Sequence, residues 1–144
     1  MNNIILYLWQ LPQNIIGFLM TRKPKKCFNY ICNDYEEVKV YFTSNVFGSG
    51  ISLGNYIILD YNNYTFNCHY KTLNAAINHE HGHQKQSKYL GWFYLIIVGL
   101  TSALCNLCDR LFHKKWSVLE RSDWYYSRFP EKWADSLGGV KRWF

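Results

Sequence analysis

Residues 72–83 read Thr-Leu-Asn-Ala-Ala-Ile-Asn-His-Glu-His-Gly-His, and this stretch decides how the rest of the chain is read. Leu73, Ala76 and Ile77 recur at helical spacing, and Thr72 is a residue type that caps a helix N-terminus. Its end, His79-Glu80-His81-Gly82-His83, is an HExxH. On a helix, positions i and i+4 lie one turn apart on one face, so His79 and His83 can reach one metal ion. Neutral imidazole is a good zinc ligand, and a catalytic zinc keeps a position open for water. Glu80, displaced from the metal but near that water, is placed to act as a general base. Gly82 is expected to remove a side chain beside the metal. His81 falls off the ligand face and is expected not to bind it.

Downstream, Pro130 opens a short helix that Gly138-Gly139 closes. Glu131 and Asp135 are again i and i+4, so two carboxylates share a face. One can complete the metal shell while the other accepts the free ring N–H of a ligand histidine. The plainer reading is two solvated acids on a surface helix, and Trp133 and Leu137 fit either. Upstream, Val38, Val40 and Phe42 alternate with Lys39, Tyr41 and Thr43, the period of a half-buried strand. Gly48-Ser49-Gly50 reads as a turn, Ile51 to Asp60 as a second strand antiparallel to the first, and Asn62-Asn63 as another turn. Tyr64 to Tyr70 reads as a third, short strand. The expected fold class is α+β: a small antiparallel or mixed sheet, then the HExxH helix, then a C-terminal ligand helix.

Two apolar blocks complicate this plan. Ile4 to Met20 is interrupted by Gln10, Pro12, Gln13 and Asn14, which favours two short helices at an interface over one span. Tyr89 to Leu107 is about long enough to cross a bilayer. A crossing there would put His79 and His83 on one side and Glu131 on the other, with no second span between them. The segment is therefore expected to turn back at Gly99 or Thr101-Ser102, lie in the interface, or pack against Ile4 to Met20. The division expected is a membrane-associating segment with a basic linker, 1–26, and a catalytic domain, 27–144, with an apolar insertion at about 89–107.

The chain carries a net charge of +6, and its Lys and Arg form short runs beside these blocks, Arg22, Lys23, Lys25 and Lys26 after the first and Arg110, Lys114 and Lys115 after the second. That placement suits an anionic membrane surface better than a groove tracking nucleic-acid phosphates, so no nucleic acid is expected. The N-terminus lacks the pattern of a secretory signal, and the five cysteines read as free thiols in a reducing compartment, on the cytoplasmic side of a membrane. Cys105 and Cys108 form a CxxC that, with Cys27 and Cys32, would make a four-thiol zinc site. The alternative, small buried hydrophobes, is favoured.

HExxH followed by a helix carrying ExxxD resembles the gluzincin zinc metallopeptidases, a group that includes thermolysin-like enzymes and the small minigluzincins. The fuller phrases HEHGHQKQSKYLG and EKWADSLGGV are also similar to short bacterial proteins of zincin type. The resemblance covers roughly the last two-thirds of the chain. It implies a zincin-like fold and a Zn2+-dependent peptidase acting on a peptide or protein substrate. By resemblance, His79, His83 and Glu131 match the zinc ligands, Glu80 the general base and Asp135 the carboxylate that orients a ligand histidine. The family lays substrate along an edge strand before the active-site helix, for which Ile51 to Asp60 is the candidate. No motif assigns the residue that stabilises the oxyanion; Tyr125, Tyr126 and His113 are the candidates. The small size also motivates an alternative, a zincin-shaped membrane- or partner-binding protein without hydrolysis.

Overall fold

The computed structural model describes residues 3–44, 46, 48–65 and 70–142. Its sheet has four strands, β1 (Lys26–Ile31), β2 (Glu37–Thr43), β3 (Gly50–Leu53) and β4 (Tyr56–Asp60), in the order β1-β2-β4-β3. β1 and β2 form an antiparallel hairpin, β2 and β4 run parallel, and β3 and β4 are antiparallel. The sheet is therefore mixed, and the chain is α+β.

Three strand expectations change here. Ile51 to Asp60 is not one strand but a hairpin, because Gly54 and Asn55 turn the chain between β3 and β4. β2 meets β4 in parallel rather than antiparallel fashion. Tyr64 and Thr65 belong to a short helix, α3 (Tyr61–Thr65), and residues 66–69 lie outside the described set. β1 follows directly on the basic linker, overlapping it only at Lys26, and no strand is expected there from the sequence. Its register puts Phe28 opposite Val40, and Phe28 and Tyr30 pack against the core while its charged and polar residues face out.

Burial follows the periodicity of β2: Val38, Val40 and Phe42 are buried, and they join Ile57, Leu59 and Ile77 in the core beneath α4 (Tyr70–Leu90). α4 begins before Thr72, which is inside the helix and does not cap it. α2 (Leu11–Met20) packs on β3 and β4 too, so β4 is covered on both sides and Ile57, Ile58 and Leu59 are fully buried. α1 (Asn3–Trp9) and α2 are two short helices, with Pro12 in the first turn of α2 where its missing N–H costs nothing.

Beyond α4 the chain makes a 3-10 turn (Gly91–Phe93), a π-helical stretch (Leu95–Leu100) and α5 (Thr101–Phe112). Leu95–Phe112 is the one helix among the described residues that is long and apolar enough to cross a membrane; Leu11–Met20 is apolar but shorter. Leu95–Phe112 overlaps the apolar block expected at about 89–107, and the helix runs on through Gly99 and Thr101-Ser102 without turning back. The reversal comes at 113–117, and α6 (Val118–Tyr126) returns along α5: Tyr125 bonds Ser102 and Asn106, and Arg121 pairs with Asp109. α7 (Glu131–Gly138) then lies against α4.

Candidate metal centre

The contact between α4 and α7 rests on missing side chains. A Cβ on Gly82 would land on the carbonyl of Ala134, and one on Gly138 would land on the carbonyl of Asn78. Gly82 therefore serves helix packing, not space beside a metal as its position in the motif suggests. Asn33 fastens the same seam, taking the Asn78 side-chain oxygen on its N–H and donating its own amide to the Gly138 carbonyl. With the two helices this close, Glu131 at the start of α7 faces His79 and His83.

Glu131 Oε2 lies 3.0 Å from His79 Nε2 and 3.2 Å from His83 Nε2. All three residues are buried. The outer nitrogens are engaged elsewhere. His79 Nδ1 is 2.7 Å from Asp135 Oδ1, and His83 Nδ1 is 2.7 Å from Gln86 Oε1. Gln86 donates its amide N–H to the Pro130 carbonyl, so its Oε1 is the acceptor for His83. Asp135 is an acceptor as well, held by a two-pronged bond from Arg142 at 2.6 and 3.0 Å. With those acceptors on Nδ1, a neutral ring would carry its proton there and turn its Nε2 lone pair to the same carboxylate oxygen. Two ring nitrogens and a carboxylate oxygen converge on one point, where a proton or a metal cation meets the negative charge, and imidazole and carboxylate are donors that zinc accepts.

The other oxygen of Glu131 accepts the Tyr125 hydroxyl at 2.9 Å, and Tyr125 bonds Ser102 and Asn106 on α5. Tyr125 thus orients the carboxylate. Tyr126 packs edge-on against the His79 ring beneath the Arg142 guanidinium, and it lines the cleft. His113 is remote from the group: it pairs with Asp109 and stacks on Trp116. Of the three oxyanion candidates, only Tyr126 is both at the cleft and not bonded to Glu131.

Glu80 is buried beside Gly50 of β3, and its Oε2 has no hydrogen-bond partner. Burial pushes its pKa up, against the pull of His83 and His79. Burial would also raise Glu131, yet bonds to His79 and His83 outweigh it and hold the carboxyl well below the usual range. For His79, burial disfavours the charged ring, but Asp135 and Glu131 overcome this and lift it to about 9. The field at this point favours positive charge.

A cleft of about 630 Å³ opens over Glu80, His79 and His83. One wall is the edge strand β3 with the turn before it, Gly48–Leu53; the other includes Leu95, Val98, Gly99 and Ser102 of the apolar helix. The edge that faces the cleft is therefore Gly50–Leu53 alone, since Tyr56–Asp60 is internal to the sheet.

Gln86 and Arg142 are the partners that sequence reasoning missed. Gln86 is three residues after His83, hence on its face, which is a readable signal. Arg142 lies seven residues beyond Asp135 and carries none. Among the described residues a second cluster, Cys32, Asp34 and His81, also gathers donor atoms. There Lys85 already pairs with Asp34 and Lys88 with Glu36, so the charge is met by ammonium groups. His81 is turned toward Asp34 and Gln84, away from Glu131. Cys32 is in the core, Cys27 is exposed and Cys105 and Cys108 are half-exposed on α5, so only the first of these four is a buried hydrophobe. They do not gather into a four-thiol site. Comparison with family models, curated proteins and solved structures finds no match for this chain.

Proposed function

We propose that the chain is a zinc metallopeptidase of gluzincin type, with a zincin-like fold, His79, His83 and Glu131 as ligands and Glu80 as general base. The observation that carries this reading is the convergence of His79 Nε2 and His83 Nε2 on one Glu131 oxygen while Asp135 and Gln86 engage both Nδ1 atoms. A surface helix with two solvated acids would not bury Glu131 against both rings. The order of elements, a mixed sheet with a free edge, then the helix bearing HExxH, then the helix bearing ExxxD, supports the same reading.

When bound, zinc would polarise a carbonyl and make water acidic enough to attack it. The chain's own residues do the rest. Glu80 Oε2, with no partner and a raised affinity for protons, would take a proton at the cleft floor and return it to a leaving amine. Asp135, fixed by Arg142, holds the His79 ring in one tautomer, and Gln86 does the same for His83. Tyr126 is placed to hydrogen-bond a developing negative charge.

The test is a Glu80→Gln variant assayed for zinc and for hydrolysis of a peptide library. Zinc should stay near one per chain while turnover falls roughly 10²–10⁴-fold. Hydrolysis that survives the substitution would refute the role given to Glu80. Zinc held by wild type with no turnover on any peptide would favour the non-catalytic alternative.

A further inference from the structure

Two helices of this protein wear their polarity inside out. In α2 and the residue before it, Gln10, Gln13 and Asn14 are fully buried, whereas Ile15, Ile16, Phe18 and Leu19 are 41–55% exposed. The buried amides are glue. Gln10 and Gln13 both donate to the Ser87 hydroxyl, at 2.8 and 2.9 Å, and Gln13 also reaches the Gly91 carbonyl at 2.9 Å. Asn14 accepts the Asn55 N–H at the β3–β4 turn. The same inversion recurs along α5 and the end of the π-helical stretch before it. Ser102, Asn106 and Asp109 turn inward to Tyr125 and Arg121, while Leu100, Leu104, Leu107 and Leu111 are exposed. The N-terminal helices are tied to the start of the second apolar segment: Trp92 donates its indole N–H to the Leu8 carbonyl, and Trp9 donates to that of Lys88.

Water would drive the opposite arrangement, since apolar surface is what it expels. In lipid, polar groups must find partners inside the protein and apolar side chains face out, with side-chain amides bonding helix to helix. Basic, exposed residues follow each apolar helix, Arg22, Lys23, Lys25 and Lys26 after α2, and Arg110, Lys114 and Lys115 at the end of α5 and just beyond. They would meet anionic headgroups. α6 returns along α5 to deliver Glu131 to the side of α4 that holds His79 and His83, an arrangement in which the apolar helix would lie along a bilayer surface.

This arrangement bears on the cleft. Leu95, Val98, Gly99, Ser102 and Ala103 line it, and Ile96, Leu100 and Leu104 on the same helix are the exposed residues. One helix width separates the cleft from the apolar surface. We propose that this face beds into a lipid bilayer and that the cleft takes membrane-tethered polypeptides, cut in an extended segment close to where the chain leaves the lipid. This rests on the metallopeptidase reading above. The segment would add to the free edge of β3 at Gly50–Leu53.

The experiment uses the full-length protein, phosphatidylcholine–phosphatidylglycerol vesicles and one peptide library in two forms, free and joined to a transmembrane anchor. The protein should float with the vesicles, and anchored peptides should be cut at least about tenfold faster than free ones through their raised local concentration. A double variant, Leu100→Glu with Leu104→Glu, should lose flotation and bring that ratio to one, with zinc content and circular dichroism unchanged. Equal cleavage of both forms by vesicle-bound wild type would overturn the substrate assignment and leave the peptidase standing. Zinc-loaded, vesicle-bound protein that cuts neither form would overturn the peptidase reading and this assignment with it. Failure to float, with a dimer in solution that the double variant dissociates, would show that the face is covered by a second copy and would overturn the proposal.

Discussion

Gln86 shows how much of the centre depends on residues outside the motif. Its side chain is fully buried, bonded to His83 at one end and to Pro130 at the other, so it joins His83 on α4 to the start of α7. Gln86→Leu keeps the shape and removes both bonds. The His83 ring is then free to rotate, and zinc affinity should fall about 10–100-fold, as read by competition with a chelator. Unchanged affinity would mean that His83 is oriented by packing alone. At this scale the sequence was legible wherever chemistry imposes a spacing: His79, Glu80, His83, Glu131 and Asp135 all stand at helical intervals. Arg142 was not, because its bond to Asp135 comes from the path of the chain after α7 and from no local pattern. The role of Tyr125 was also hidden, since a tyrosine near a site can serve the ligand or the substrate, and only geometry separates the two.

The elements are tied together by small residues and by ion pairs. Gly82→Ala would force α7 away from α4 at the Ala134 carbonyl, at a cost of about 1–3 kcal/mol of the overpacking kind. It should lower the thermal midpoint and release zinc together, because the same seam positions Glu131. Stability lost with zinc retained would separate the seam from the centre. The α5–α6 pair is held by Asp109, whose carboxyl the Arg121 guanidinium, despite some burial, keeps below its ordinary value of 3.8. A pKa lowered by folding contributes stability above the unfolded value, and the contribution is lost as pH falls through the folded one. Asp109→Asn should therefore destabilise the protein at pH 7, and its difference from wild type should fade below pH 4. A difference in melting temperature that stays constant to pH 3 would contradict this. β2, α1, α2 and α7 were readable from periodicity and from Pro12 and Pro130. β1 was not, because Lys26, Cys27 and Asn29 hide the alternation that Phe28 and Tyr30 carry. The β3–β4 hairpin was missed because ISLGNYIILD is apolar at both ends, and Gly54-Asn55 alone marks the turn.

The whole molecule joins a polar, charge-selecting centre to an apolar exterior. Sequence reasoning saw that three ligands on one ion forbid a simple span at the second apolar block, and the return of α6 along α5 meets that constraint. It did not see the mode of packing, because Gln10, Gln13 and Asn14 interrupt an apolar run and look like the side that faces water. They face the protein instead, an orientation that follows from tertiary hydrogen bonds to Ser87, Gly91 and Asn55, which no local rule encodes. Fold and helix seam lead to the same point, the meeting of His79, His83 and Glu131. Zinc content of the purified protein, measured for wild type, His79→Ala and Glu131→Ala, tests that meeting most directly. The expected result is close to one zinc per chain in wild type and loss of it in both variants, with secondary structure retained; a wild type that stays zinc-free after loading, or variants that bind as wild type does, would contradict it.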